Sequence, residues 1–219
     1  MQDMVPQVSE IAASSETGAV VFWSQSHKYL FIPPFPLSER RLEPGFLVAP
    51  VRDLLSRSLK VALVLVRLRA YAIGLCRDED LIASKVGTGN IHARHRQGGS
   101  SQARFARHRE KQIESFLTRV CGHAQEILGH EARSVDYIAY GGSHEGILLL
   151  RKQCSFLRQF DDRNLPALLD IEEPRQKVLE RAVARVWSSG VVEWHDDAEV
   201  RVAGGDRPGI RRENGLEAP

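Results

Sequence analysis

The stretch Val61-Ala62-Leu63-Val64-Leu65-Val66 is the longest uninterrupted apolar run in the chain. Successive side chains of a β-strand point to opposite faces of a sheet, so this run is apolar on both faces. Strands covered on both faces are typical of the centre of an α/β sheet. Six residues are far too few for a membrane span, which needs about 20. We therefore predict a central strand in a doubly covered sheet.

The segments around this run predict an α/β fold. A meander of strands comes first, and alternating strands and helices follow, which favours parallel pairing. Strands are predicted at residues 20–23, 29–32, 71–75, 81–86, 135–140 and 165–171, and helices at 50–59, 103–128, 145–160 and from 174. These elements predict a single α/β domain with a mixed sheet of about five to seven strands flanked by helices. Its predicted limits are residues 18–195, with a disordered lead at 1–17 and a disordered tail at 196–219.

Composition is that of a soluble globular protein, with 42% apolar and 26% charged residues in 219. The three cysteines, Cys76, Cys121 and Cys154, form no Cys-x-x-Cys pattern, so zinc and redox motifs are unsupported. We predict buried thiols in a reducing compartment. The N-terminus has no secretory signal pattern, and a cytoplasmic protein without a membrane partner is expected.

The positive charge is concentrated in one part of the chain. Residues 85–119 hold eight Lys or Arg and two Glu, a local excess of six, whereas the whole chain carries +2. The remainder therefore carries −4. One strongly basic segment on a nearly neutral protein predicts a polyanionic partner.

The centre of this segment is a polar loop. Gly98-Gly99-Ser100-Ser101-Gln102 follows Arg94 and Arg96, and adjacent glycines let a ligand approach the main chain closely. The loop has neither a phosphate-loop Gly-Lys-Ser/Thr nor a nucleophile-elbow Gly-x-Ser-x-Gly. A metal site at His92 and His95 is disfavoured by their cationic neighbours. No metal and no cofactor are expected, and RNA is the partner that these residues suit.

Two motifs carry a resemblance to a known family. The segment Arg104-Phe105-Ala106-Arg107-His108-Arg109 after the two glycines resembles the helix that follows the Gly-Gly-Gln loop in eukaryotic and archaeal peptide-chain release factors. Further on, Tyr137-Ile138-Ala139-Tyr140-Gly141-Gly142-Ser143 resembles the strand and Ala-Gly-Ser turn of the same domain. The resemblance covers roughly residues 60–190 and implies the fold of the catalytic middle domain.

One departure from that pattern indicates which branch of the family this sequence resembles. When the Arg-Phe-Ala-Arg segments are aligned, Ser100 takes the place of the glutamine and Gln102 comes two residues later. This spacing resembles the Vms-like release factors of the actinobacterial and chloroflexi type. The short chain also disfavours a stop-codon decoder.

The resemblance implies a ribosome-associated peptidyl-tRNA hydrolase that releases nascent chains from stalled large subunits. The implied partners are the large ribosomal subunit, ribosomal RNA and peptidyl-tRNA, with a protein that is monomeric off the ribosome. The implied catalytic residues are Gly98, Gly99, Ser100, Ser101 and Gln102, and the implied RNA-binding residues are Arg94, Arg96, Arg104, Arg107, Arg109 and Lys111.

Two alternatives stay open at this point. The same loop could cleave the tRNA near its 3′ end, or the protein could be a non-catalytic RNA- or ribosome-binding module. Phe105 is predicted to pack under the loop as a core residue.

Overall fold

The structure is a computed structural model that describes residues 6–24, 27–45, 47–91, 102–194 and 200–204, with the backbone alone at residues 7, 102, 103 and 200–204. The described strands are β1 (Val20–Trp23), β2 (Lys28–Ile32), β3 (Lys60–Arg67), β4 (Ala70–Arg77), β5 (Asp80–Thr88), β6 (Tyr137–Gly142), β7 (Gly190–Trp194) and β8 (Val200–Gly204). The α-helices are α1 (Pro6–Ser14), α2 (Ala49–Leu55), α3 (Gln102–Leu128), α4 (His144–Gln153) and α5 (Gln176–Trp187). Two 3₁₀ segments span Gly129–Glu131 and Ser155–Arg163. The chain divides into two compact units, residues 58–184 and residues 1–57 with 185–219.

The unit of residues 58–184 contains a mixed sheet in the order β5-β4-β3-β6. β3 pairs antiparallel with β4 and parallel with β6, so it is an inner strand as predicted. All six residues from Val61 to Val66 are 0% exposed. A hairpin turn at Asp78 and Glu79 connects β4 to β5.

Helices cover this sheet on both faces within the unit. α3 packs an apolar stripe on the face that holds Ala62, Val64 and Val66. The stripe consists of Phe116, Leu117, Val120, Ala124 and Leu128, spaced by one to four residues. On the other face, an added Cβ at Gly74 would lie 3.1 Å from Cδ1 of Leu179 in α5. The run in β3 is apolar on both faces because each face has a helix packed on it.

A disulfide joins Cys121 of α3 to Cys154, the residue that ends α4. The prediction of buried thiols is therefore wrong for this pair. The two residues are 33 positions apart, and only the packing of the two helices brings their Cα atoms to 5.5 Å. Cys76 is free and buried, as predicted, and burial raises the pKa of its thiol to about 12.

The other unit contains an antiparallel sheet in the order β1-β2-β7-β8. β2 pairs with β7 from Lys28 opposite Trp194 to Ile32 opposite Gly190. Val8 of α1 is fully buried in a core with residues of both strands. That core also contains Leu30, Ile32, Val192 and Trp194.

The α/β class is confirmed, and three details of the prediction are wrong. The strands form two four-stranded sheets instead of one sheet of five to seven. The predicted disordered lead contains α1, and the predicted tail contains β8, which pairs with β7. The predicted strand at 165–171 makes only isolated bridges at Asn164 and Leu169. Pro166 lies between the two bridges and has no N–H for a ladder.

Candidate active site

Most of the predicted catalytic loop lies outside the described residues. This holds for Arg94, Arg96 and the four residues Gly98, Gly99, Ser100 and Ser101. Gln102 is the first residue of α3, and its backbone alone is described. The structure therefore defines the two segments that hold the loop, one before it and one after it.

The segment before the loop is fixed at the end of the mixed sheet. The Gly89 N–H donates to the carbonyl of Arg69 in the β3–β4 turn, with an N–O distance of 2.7 Å. A Cβ at Gly89 would overlap the ring of Phe116 in α3, so this backbone lies directly against the helix. Ile91 is 3% exposed and belongs to the same core as Phe116. The segment that leads into the loop is therefore buried against α3.

The segment after the loop is a helix with a basic outer stripe. Arg104, Arg107 and Lys111 are exposed and lie at positions i, i+3 and i+7, which places them on one face. At about 100° per residue this face lies opposite the apolar stripe of α3. Their cationic groups make no hydrogen bond or ion pair among the described contacts. The structure thus brings together three of the predicted RNA-binding residues.

Arg109 lies on the opposite side of α3 from this stripe. It follows Phe105 by four residues and precedes Ile113 by four, on the side of the core. Its side chain is partly buried, and its Nε is buried without a hydrogen-bond partner. Phe105 itself is 53% exposed, so the prediction that it packs as a core residue is wrong.

The second motif forms a tight strand-to-helix turn. Gly142 has a φ of +116°, and an added Cβ there would collide with the carbonyl oxygen of Val66. The Ser143 N–H donates to that same oxygen at 3.3 Å, and the Ser143 Oγ accepts from the Gly146 N–H at 3.2 Å, which caps α4. The glycine is needed for close approach and the serine for capping, so this motif positions α4 at the loop end of the sheet.

Sequence reasoning missed a titratable cluster further along α3. The His123 ring stacks on Tyr71 with centroids 5.6 Å apart, and its Nδ1 lies 2.9 Å from Oε2 of Glu126. The hydrogen bond from His123, followed by the charge of Lys85, lowers the pKa of the Glu126 carboxyl. At 1.5 Å per residue, His123 lies roughly 30 Å along the helix from Gln102. The cluster is therefore remote from Gln102.

The described residues contain no group of three His, Cys, Asp or Glu residues placed to hold a metal ion. Within the same ranges, no helix is long and apolar enough to cross a membrane.

Comparison with known proteins identifies the family. The family model described as Actinobacteria/chloroflexi VLRF1 release factor matches residues 59–192, which include the loop, α3 and the Gly142–Ser143 turn. The chain belongs to this family. Membership in a release-factor family supports a role in translation termination or rescue, and it confirms the predicted family relationship.

Individual relatives are archaeal. The peptide chain release factor subunit 1 of Archaeoglobus fulgidus is 30% identical over 95 residues, which are 43% of this chain and 23% of that protein. The same protein of Pyrococcus abyssi is 29% identical over 101 residues, 45% of this chain and 24% of that one. The chain thus spans about a quarter of the length of these curated relatives. The crystal structure of the archaeal translation termination factor aRF1 is similar with a TM-score of 0.48 and 16% identity, covering 73% of this chain and 47% of that one.

Proposed function

We propose that the protein hydrolyses peptidyl-tRNA on stalled large ribosomal subunits and so releases nascent chains in ribosome quality control. The observation that carries this proposal is the family match across residues 59–192, which contains the loop and the helix that holds it. The basic stripe of α3 supports the proposal, because exposed arginines with no hydrogen bond or ion pair among the described contacts suit RNA phosphates. Such a substrate implies a cytoplasmic protein.

The reaction is the hydrolysis of the ester that joins the peptide to the tRNA 3′ adenosine. A water oxygen bonds to the ester carbonyl carbon, the bond from that carbon to the ribose 3′ oxygen breaks, and the leaving oxygen takes a proton. We assign to Gln102 the orientation of the water, since a neutral amide can both donate and accept a hydrogen bond.

The other loop residues have proposed roles that follow from their size and backbone. Gly98 and Gly99 give the loop the small cross-section that a narrow RNA cavity requires. Backbone N–H groups of Ser100 and Ser101 would stabilise the developing oxyanion, and in other enzymes the loss of one such donor lowers the rate about 10²–10³-fold. Positioning on the ribosome would supply much of the remaining acceleration.

The RNA-binding residues fall into two groups. Arg104, Arg107 and Lys111 would hold phosphates from the outer face of α3, and Arg94 and Arg96 would do so from the loop. Arg109 has a different proposed role: it is partly buried on the core side of the helix, so it would position α3.

The test is a peptide-release assay on purified large subunits that carry peptidyl-tRNA. Wild-type protein should liberate free peptide and leave an intact tRNA, and Gln102→Ala should release peptide at least tenfold more slowly. Gln125→Ala, an exposed glutamine at the other end of the same helix, is the matched control and should release peptide at the wild-type rate.

Each alternative predicts a different product. A shortened tRNA would show cleavage near its 3′ end, and binding without any product would show a non-catalytic module. Release by Gln102→Ala at the wild-type rate would remove the proposed role of that glutamine while leaving the activity in place.

A further inference from the structure

The two hairpin turns at opposite ends of β4 each contain one residue with a strained backbone conformation. In the described part of the chain, Arg69 and Asp78 are the non-glycine residues with positive φ, at 91° and 56°. An L residue has a steric cost in this region, which glycine avoids and which asparagine and aspartate tolerate better than other residues. Each position therefore keeps a side chain that is costly to hold there.

The side chain of Asp78 serves the fold. Its carboxylate accepts hydrogen bonds from the Leu59 N–H at 2.9 Å and from the Ser58 hydroxyl at 3.0 Å. Its own N–H donates to the Leu59 carbonyl at 2.8 Å. The two carboxylate bonds account for an aspartate at a strained turn.

No comparable contact explains the side chain of Arg69. It is exposed, and its guanidinium makes no hydrogen bond or ion pair among the described contacts. The neighbouring Arg67 differs, because it donates to the Ile171 carbonyl at 2.7 Å and pairs with Asp170 at 3.3 Å. Within the described structure, the side chain of Arg69 makes no hydrogen bond or ion pair that would offset the backbone strain.

Arg69 lies at the end of the sheet from which the loop starts. Its carbonyl accepts the hydrogen bond from Gly89, which itself lies against Phe116 of α3. The parallel pairing of Val66 with Gly142 puts the strand-to-helix turn at this same end. Asp78 lies at the opposite end of β4.

We propose that Arg69 is an RNA-contacting residue, whose guanidinium binds a phosphate of ribosomal RNA or of the tRNA when the protein docks. This inference rests on the proposed function. The Gly89–Phe116 contact puts Arg69 near the core side of α3, whereas Arg104, Arg107 and Lys111 lie on its outer face. Phosphate contacts on both sides of α3 would fix the rotation of this helix on the RNA and would add to the affinity of the protein, because such contacts set the orientation of a protein on RNA.

The test separates charge from backbone strain at position 69. Arg69→Gly and Arg69→Asn remove the cation and suit the left-handed backbone, so the Tm should stay equal or rise by up to about 4 °C. Binding to purified large subunits should weaken several-fold, and the slope of log affinity against log salt should become shallower by about 0.7–1. Arg69→Lys should keep most of the affinity.

Two binding arms identify the source of the phosphate. Large subunits without tRNA report contacts to ribosomal RNA, and subunits that carry peptidyl-tRNA add the tRNA. If the Arg69 variants bind more weakly in both arms, the phosphate belongs to ribosomal RNA. If they bind more weakly in the second arm alone, it belongs to tRNA. The control is Arg133→Gln, which removes an exposed arginine beyond the opposite end of the sheet and should change neither arm.

The outcomes distinguish this inference from the proposed function. Wild-type affinity and slope for Arg69→Gly and Arg69→Asn in both arms would overturn the role of Arg69 alone. A weaker binding that appears only in variants with a lower Tm would also overturn it. Wild-type protein that binds and releases no peptide would overturn the proposed hydrolase alone, and a wild type that does not bind would overturn both.

Discussion

Reduction of the Cys121–Cys154 disulfide should lower the free energy of unfolding by about 3.7 kcal/mol. The bond closes a loop between residues 33 positions apart and so restricts the unfolded chain. The loop-closure entropy for about 34 residues is about 12.5 cal/mol/K, which gives that figure at 25 °C. For a protein of this size, the same loss lowers the Tm by about 7–15 °C.

The measurement is urea unfolding of oxidised and reduced protein at constant pH. Reduction should move the midpoint to lower urea and increase the m-value, because the unfolded chain without its cross-link exposes more surface. A double variant, Cys121→Ala with Cys154→Ala, should match the reduced protein and should not respond to reductant. Its only remaining thiol is the free Cys76.

Two results would refute the reasoning. One is an oxidised protein in which alkylation under denaturing conditions labels all three cysteines, since the disulfide would then be absent. The other is a reduced protein with the same midpoint and m-value as the oxidised one. In that case the packing of α3 against α4 would hold the two helices without help from the cross-link.

Three further perturbations follow from contacts described above. Gly142→Ala should lower the free energy of unfolding by more than about 3 kcal/mol, because its Cβ meets the Val66 carbonyl at a φ of +116°; Gly122→Ala, in a part of α3 with no heavy atom within 4 Å of the added Cβ, should instead stabilise by about 0.5–1 kcal/mol in the same urea titration. Hydrogen bonds from Lys60 and then Ser134 lower the pKa of Glu131, so this stabilisation is present above the unfolded pKa and is lost as the pH falls through the folded pKa. Glu131→Gln should therefore be less stable than wild type at neutral pH, and the difference in stability should disappear once the pH falls below the folded pKa of Glu131; parallel pH–stability curves would contradict this assignment. Arg107→Gln should leave the Tm unchanged and make the salt slope of large-subunit binding shallower by about 0.7–1, and an unchanged slope would exclude a phosphate contact there.

Local sequence patterns predicted the elements whose own residues show a clear apolar pattern. The apolar run of β3 is uninterrupted and the apolar stripe of α3 recurs at helical spacing, and both elements were placed correctly. The same helical spacing places Arg109 on the core side of α3. The basic composition of the segment alone does not distinguish Arg109 from the arginines of the outer face. A helical angle assigned to each arginine would have separated it from Arg104 and Arg107.

Features that depend on distant contacts were not predictable in this way. α1 has nine residues, too few for a stable isolated helix, and the burial of Val8 against β2 and β7 stabilises it. The disulfide depends on how two helices pack, which no spacing of cysteines encodes. Arg69 has an ordinary sequence context, and only its backbone conformation makes it unusual.

The pairing of β2 with β7 has a consequence for the order of folding during synthesis. Ile32 lies opposite Gly190, so more than 150 residues must be translated between the two partners. The intervening unit of residues 58–184 has its own sheet and core and can fold as soon as it leaves the exit tunnel. The sheet that contains β2 can be completed only after β7 has been translated. Until then the β2 edge of the first hairpin is unpaired on the translating ribosome, and an unpaired strand edge is exposed to misfolding.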